Sequence, residues 1–115
     1  MEIAYVAGPY RSDTVNGIYQ NIQAARAVAA ELWAIGFAVI CPHMNSAFMD
    51  GIACDDTFIK GDIEIMLRCA DFVVMLPGYY ESEGCELEAT AAIEARIPVY
   101  YYPKDIRKIK ELAGG

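Results

Sequence analysis

Four glutamates lie within ten residues in the segment ESEGCELEAT, residues 81–90, and a carboxylate can act as a nucleophile, an acid or a base. The segment opens a helical pattern that we expect to cover about residues 84–95. At about 100° per residue, this helix places Glu88 within a face of small residues that includes Ala92. A carboxylate that faces a sheet is costly unless it is paired, hydrogen-bonded or used in catalysis. Glu88 is therefore a candidate for chemistry, with a buried structural carboxylate as the alternative, and the other helical glutamates are expected to face solvent or an interface.

Two small residues at the start of the same helix are typical of an anion-binding site. Ser82 carries a hydroxyl and Gly84 exposes its backbone N–H, and the positive end of a helix dipole favours a bound phosphate. The same pair opens many helices as an ordinary N-cap, so the pattern leaves both interpretations open.

Residues 8–13 form a second polar loop, directly after the first apolar run of the chain. Gly8 and Pro9 favour a turn there, and Arg11 carries a guanidinium that can bind a phosphate through two parallel hydrogen bonds. A surface arginine is the alternative interpretation. Gly8, Pro9 and Arg11 are therefore candidate substrate-binding residues.

A further carboxylate lies in the segment KGDIEIMLRCAD, whose apolar stripe includes Met66 and Leu67. Asp62 adjoins this stripe near the start of a predicted helix. We expect it either to reach a ligand cleft or to interact with the positive end of the helix dipole.

Short apolar runs alternate with longer helical patterns along the chain, which is typical of a parallel α/β sheet. Each predicted strand is nearly continuous in apolar residues, as a strand covered on both faces requires. We predict a three-layer, doubly wound α/β fold of the Rossmann or flavodoxin-like type, with a parallel sheet of about four to five strands. The predicted strands are residues 3–7, 37–41, 72–76 and 98–102, and the predicted helices are about residues 14–35, 56–70, 84–95 and 104–112.

The loops that follow the strands are the expected location of a site. Right-handed crossovers place each strand-to-helix loop at the carboxyl edge of the sheet, where open α/β sheets bind ligands. The middle loop, residues 42–55, is long and carries Met44, Phe48 and Met49, apolar side chains that a plain connector does not need. They suit a lid, a base-sized pocket or a subunit contact.

Length and hydropathy limit the class of protein. At 115 residues the chain is long enough to bury a core and short for two domains, so residues 1–115 are expected to form a single domain. The absence of about 18 uninterrupted apolar residues predicts no membrane span. The N-terminal run MEIAYVAG lacks the basic region and cleavage site of a signal peptide, which favours a cytoplasmic protein.

Charge and cysteine spacing argue against two further classes. A net charge of −7 would repel a phosphate backbone, so no nucleic acid polymer is expected as a partner. The 4 cysteines form no C-x-x-C pair and His43 is the only histidine, so neither a metal site nor a disulfide framework is predicted.

Three segments together resemble the nucleoside 2-deoxyribosyltransferase superfamily: AYVAGPY, GDIEIMLRCADFVVMLPG and SEGCELE. The resemblance covers roughly residues 3–102 and is closest to short, poorly characterised members related to deoxynucleoside 5′-monophosphate N-glycosidases. Its most specific element is S-x-G-x-x-x-E, which Ser82, Gly84 and Glu88 match. The motif selects Glu88, in agreement with the helical-face argument.

The resemblance implies a chemical role for each matching residue. Glu88 would attack the anomeric carbon C1′ of an N-glycoside and form a glycosyl ester. Tyr5 would hydrogen-bond to that carboxylate and orient it, and Asp62 would help to protonate or hold the departing base. Water would complete a hydrolysis, whereas a second nucleobase would complete a transfer. No cofactor and no metal is implied.

The residue at position 82 bears on the choice between a nucleoside and a nucleotide. Relatives that transfer nucleosides commonly have an aspartate there, whereas the monophosphate hydrolases carry serine, as in this chain. Together with Arg11 this favours a 5′-monophosphate, although G-P-Y-R-S-D differs from the glycine-rich loop of those hydrolases. His43, Asn45 and Phe48 are candidates for the base pocket. The base, the sugar and the choice between hydrolysis and transfer stay open.

The expected function is cleavage or transfer at the N-glycosidic bond of a small-molecule (deoxy)nucleoside or its 5′-monophosphate through Glu88. The alternative is a non-catalytic nucleotide-binding or sensing module on the same fold. The resemblance further implies a homodimer or a higher homo-oligomer, and the tyrosines at positions 100–102 and the Met-rich loop are candidate contact surfaces.

Overall fold

The apolar runs form one four-stranded parallel sheet in a computed structural model, which describes residues 1–114. The strands are β1 (Ile3–Ala7), β2 (Ala38–Ile40), β3 (Phe72–Met75) and β4 (Val99–Tyr101). They lie in the spatial order β2-β1-β3-β4, with Tyr5 of β1 paired to Ile40 on one side and to Val73 on the other. This sheet and its flanking helices confirm the predicted flavodoxin-like α/β fold.

Helices connect the strands and cover both faces of the sheet. They are α1 (Val15–Ile35), α2 (Pro42–Asn45), α3 (Asp55–Cys69), α4 (Glu83–Glu94) and α5 (Ile106–Gly114), with a 3-10 turn at Tyr79–Glu81. The four predicted helices correspond to α1, α3, α4 and α5, whereas the single turn of α2 was not predicted. Within residues 1–114, no helix has the length and apolarity that crossing a bilayer would require.

Helix α1 begins and ends at residues that favour helix boundaries. Thr14 Oγ1 accepts a hydrogen bond from Gly17 N–H at 2.9 Å, which satisfies one of the free donors of the first turn. Gly36 follows the last helical residue with φ of 121°, a conformation that residues with a Cβ rarely adopt. The stop predicted at Gly36 is therefore confirmed.

Alternate residues of β1 pack into two separate cores, because successive side chains of a strand point to opposite faces. Ala4 and Val6 pack on the face that α1 and α5 cover. Tyr5 and Ala7 pack on the face that α3 and α4 cover. Tyr5 thus extends into the layer that carries the acidic segments of the sequence.

One leucine departs from the predicted helical face. Leu67 was expected on the buried stripe of α3 but is 43% exposed, because it lies about 100° around the helix from the fully buried Met66. Leu87 of α4 is 44% exposed. The buried side of α4 contains Cys85 and Ala92 instead, and Glu88 lies between these two along the chain.

The sheet topology creates a crevice beside β1. From β1 the chain passes through α1 to β2 on one side. From β2 it returns through α3 to β3 on the other side of β1, so the direction of winding reverses at this point. The loops after β1 and β3 approach each other closely there. A Cβ at Gly8 would lie 2.7 Å from Leu76 Cδ1, so only glycine fits without a shift of Leu76.

Candidate active site

A cleft of about 800 Å³ opens at the carboxyl edge of the sheet. Its walls come from the loops that follow β1, β2 and β3, from the start of α1 and from the first two turns of α3 and α4. Both the position and the volume are typical of a small-molecule site in an open α/β fold. Eight residues that the sequence singled out line the cleft: Gly8, Pro9, Arg11, His43, Asp62, Ser82, Gly84 and Glu88.

Tyr5 and Glu88 form a hydrogen-bonded pair at the base of this cleft. Tyr5 extends from β1 with no exposed surface, and its O–H donates a hydrogen bond to Glu88 Oε2. Burial and the nearby Glu88 carboxylate raise the pKa of the Tyr5 phenol, so this group stays protonated and remains a donor. The hydrogen bond therefore holds the carboxyl group of Glu88 in one orientation.

Glu88 and Asp62 are two carboxyl groups whose pKa values are raised towards neutrality. Burial raises the pKa of Glu88 to about 7; the hydrogen bond from Tyr5 opposes this rise and the negative charge of Asp62 adds to it. Burial also raises the pKa of Asp62 to about 6. Helices α3 and α4 pack against each other, which brings the two groups into one site. Such a pair can divide the roles of nucleophile and general acid.

The raised pKa of Glu88 predicts that removing its charge stabilises the protein at high pH. The carboxyl group of Glu88 has a pKa of about 7 in the folded state and about 4.3 in the unfolded state. The free energy of unfolding of the protein therefore falls as the pH rises between these values. We therefore expect Glu88→Gln to equal the wild type in free energy of unfolding at about pH 4. At about pH 8 it should be more stable by about 3–4 kcal/mol, measured by urea denaturation.

Glu86→Gln is the matched control for this measurement, since Glu86 lies on the same helix and is exposed. We expect it to change the free energy of unfolding by less than about 0.5 kcal/mol at either pH. Equal free energies of unfolding for Glu88→Gln and the wild type at about pH 8 would contradict the raised pKa of Glu88.

The predicted anion cradle at the start of α4 contains an ordinary N-cap. Ser82 Oγ accepts a hydrogen bond from Cys85 N–H at 3.3 Å, so the hydroxyl oxygen caps the helix while its proton stays free to donate. A Cβ on Gly84 would lie 3.8 Å from Ile59 Cγ1, an ordinary contact. Packing therefore does not require glycine here, and the absence of a side chain leaves the helix terminus open to the cleft.

Arg11 is bound by two aspartates that the sequence pattern did not single out. Its Nη1 donates to Asp50 Oδ2 at 2.7 Å and its Nη2 donates to Asp55 Oδ1. Tyr10 O–H also donates to Asp50, at 2.6 Å. The Asp50-Gly51 pair is a recognisable turn signal. The ion pairs, however, join residues 39 and 44 positions apart, which no local pattern reveals.

Two predicted base-pocket residues on α2 take different positions. His43 is 5% exposed and lines the cleft, and its Nε2–H donates to the carbonyl oxygen of Pro9 at 2.9 Å. Asn45 is exposed and lines a separate cavity of about 460 Å³ beside Trp33, so the structure does not bring it to the cleft. The reason is geometric, because side chains two positions apart on a helix point about 200° apart.

Apolar side chains complete the wall of the cleft. Met49 of the long loop lines it, whereas Phe48, which is 55% exposed, does not. Phe58 and Ile59 of α3 also line it, although the sequence pattern did not single them out. A planar base or the apolar face of a sugar can pack against such side chains. Among the described residues 1–114, no group of three or more His, Cys, Asp or Glu is arranged to hold a metal ion.

Comparisons with known proteins bear on the fold and on its relatives. A family model described as "Domain of unknown function (DUF4406)" matches residues 2–101. Among curated proteins, none matches the sequence significantly. A solved structure of a 2-deoxyribosyltransferase from the psychrotolerant bacterium Bacillus psychrosaccharolyticus is similar, with a TM-score of 0.60 and 20% identity over 86% of this chain and 70% of that one. At this identity the likeness establishes a shared fold, so function has to be argued from the site.

Proposed function

The chain belongs to the DUF4406 family, a domain of unknown function, and we propose that residues 1–115 act as one domain that cleaves or transfers the N-glycosidic bond of a (deoxy)nucleoside or its 5′-monophosphate. The observation that carries this proposal is the carboxyl group of Glu88, held by Tyr5 at the base of a ligand-sized cleft and electrostatically coupled to Asp62. The similar solved structure is a 2-deoxyribosyltransferase described as a biocatalyst for nucleoside synthesis, which supports the same bond as the target.

In the first step the ionised carboxylate of Glu88 attacks C1′ of the substrate. As the bond between Glu88 and C1′ forms, the bond between C1′ and the base nitrogen breaks, and its electron pair moves to the base. Positive charge develops on the sugar, and the negative charge of the cleft stabilises it. The product is a glycosyl ester on Glu88 and a departing base.

Asp62 and Tyr5 support this step in different ways. Asp62 transfers its proton to the departing base, a role that suits a carboxyl group whose pKa burial raises to about 6. Tyr5 does not contact the substrate in this scheme; it positions Glu88 through the hydrogen bond to Oε2. The loss of either function leaves the nucleophile present but less effective.

In the second step water or an acceptor base attacks C1′ of the glycosyl ester and gives up its proton to Asp62, which the first step left ionised. The bond to Glu88 breaks, and the carboxylate returns to its starting state with the configuration at C1′ retained. Water as the acceptor makes the reaction a hydrolysis, and a nucleobase makes it a transfer. Both outcomes use the same first step and the same three residues.

The direct test is to detect both the free base and the covalent intermediate. The protein is incubated with a panel of nucleosides and 5′-monophosphates, and free base is quantified by chromatography. The peptide that contains Glu88 is examined by mass spectrometry for the mass of the added sugar. We expect both signals for the same substrate. Tight binding without base release, with and without an acceptor base, would favour a nucleotide-binding module instead.

We also propose that the protein works in the cytoplasm as a homodimer or a higher homo-oligomer. Support comes from large apolar side chains that stay exposed on the loop between β2 and α3, where Ile52 is 80% exposed and Phe48 is 55% exposed. The tyrosines at positions 100–102 are less suitable contacts, because each is partly buried against a core of its own chain. A monomer in sedimentation at micromolar concentration would contradict this assembly.

A further inference from the structure

The charge on the wall of the cleft has predominantly one sign. Among the lining residues within 1–114, Arg11 is the only lysine or arginine. Six carboxylates line the cleft with it: Asp50, Asp55, Asp62, Glu81, Glu83 and Glu88. A concave site lined mostly by negative groups concentrates cations and repels anions.

The one cation of the wall is already paired with two carboxylates. Arg11 donates to Asp50 at 2.7 Å and also to Asp55, so both ends of its guanidinium are engaged. Tyr10 stabilises this arrangement, because its O–H donates to Asp50 at 2.6 Å and its hydroxyl oxygen accepts from Phe48 N–H at 2.9 Å. A substrate phosphate would have to compete with carboxylates that already make charge-assisted hydrogen bonds and neutralise this cation.

His43 does not compensate for this negative charge. Burial lowers the pKa of its ring, and the Nε2–H is already donated to the carbonyl oxygen of Pro9. Its Nδ1 is then an acceptor, and it finds no partner among residues 1–114. The ring therefore offers no free donor to the oxygens of a phosphate.

We propose that this cleft selects its substrate by charge, binding N-glycosides with a positively charged base more tightly than neutral ones and excluding 5′-monophosphates. The proposal rests on the function proposed above, since it names the substrate class of the same site. It departs from the sequence-based preference for a 5′-monophosphate, which depended on Ser82 and Arg11. In the structure Ser82 can still donate its hydroxyl proton, but Arg11 is paired with two aspartates, so the preference loses its cationic contact.

A cationic base also fits the bond-breaking step. When the bond between C1′ and the nitrogen of a pyridinium nucleoside breaks, the electron pair stays on the nitrogen and the base leaves as a neutral molecule. Glu88 forms the new bond to C1′, and water or an acceptor base later replaces it. No proton is needed from Asp62, so this residue contributes only its negative charge.

Three ligands of nearly the same shape separate charge from fit. They are nicotinamide riboside, the uncharged dihydronicotinamide riboside and the 5′-monophosphate of nicotinamide riboside. Calorimetry at about pH 8 measures their dissociation constants for Glu88→Gln, which lacks the nucleophile. We expect the cationic riboside to bind tightest, the uncharged form less tightly, and the monophosphate at least about tenfold more weakly than the cation. Raising the ionic strength should narrow these differences.

Asp55→Asn and Asp56→Asn, each added to the Glu88→Gln background, form a matched pair of variants. Asp55 lines the cleft and pairs with Arg11, whereas the neighbouring Asp56 pairs with Lys60 at 2.8 Å and lies outside the lining. Asp55→Asn should tighten binding of the monophosphate several-fold, because it removes one negative charge and releases one end of Arg11. Asp56→Asn should leave the order and the ratios of the three dissociation constants unchanged.

The proposal is overturned if the monophosphate binds as tightly as the cationic riboside, or if none of the three ligands binds. The proposed glycosidic function is judged separately, by base release from the wild type. Base release that depends on Glu88 but is fastest with tightly bound monophosphates would support the function and reject the charge selection. The expected order of affinities without base release from any substrate would support the charge selection and reject the catalytic proposal.

Discussion

Glu88→Ala is expected to reduce the rate of base release by about 10³-fold or more, because the variant lacks the oxygen that forms the bond to C1′. Tyr5 would lose its acceptor, and only unassisted attack by water in the cleft would remain. The measurement is kcat/KM for free-base release, quantified by chromatography on the substrate that the wild type cleaves fastest. The mass increment on the peptide containing residue 88 should disappear in the same variant.

Glu86→Ala is the control that separates chemistry from a general loss of acidic residues on α4. Glu86 is exposed, so we expect its removal to leave kcat/KM within about twofold of the wild type, as for surface changes away from a site. Circular dichroism should show that both variants are folded. Full activity of Glu88→Ala would exclude this residue as the nucleophile and would direct attention to Asp62.

The strands and helices of this fold could be predicted from the sequence, because their signals are local and repeated. Strands buried on both faces appear as apolar runs, and the sheet contains the four of them in parallel order. Gly36 ends α1 because only a residue without a Cβ adopts its φ of 121° easily. The prediction of Glu88 as a cleft residue used the same kind of signal, a helical period of 3.6 residues.

The ion-pair network at the mouth of the cleft could not be predicted, because it depends on contacts between distant segments. Nothing near Arg11 in the sequence indicates that Asp50 and Asp55 bind it. The single turn of α2 was missed for a related reason, since a four-residue helix is too short to produce a period. This turn separates Asn45 from His43, so only one of these two predicted residues reaches the cleft.

Asp62→Asn is expected to slow base release from neutral substrates by about 10²-fold or more, because an amide cannot give a proton to the departing base. The pH dependence should change in a specific way. In the wild type the reactive form has Glu88 ionised and Asp62 protonated, which gives a bell-shaped profile. Because the pKa of Glu88 is the higher of the two, this is the less populated of the two singly protonated forms. Burial raises both pKa values, to about 7 and about 6, so the two apparent values belong to the coupled pair and the bell is narrow.

In Asp62→Asn the falling limb should disappear, since no group is left whose proton must be retained. The rising limb should then report the ionisation of Glu88 alone, at a pKa below about 7, because the negative charge of Asp62 no longer raises it. Glu64→Gln is the control on the same helix. Glu64 is exposed and pairs with Arg68 at 3.1 Å, so both limbs should persist in this variant.

A substrate with a cationic base tests directly whether Asp62 acts as the acid, because its base leaves without a proton. If Asp62→Asn slows that substrate as much as a neutral one, Asp62 does not act as the acid and serves only to shape the site.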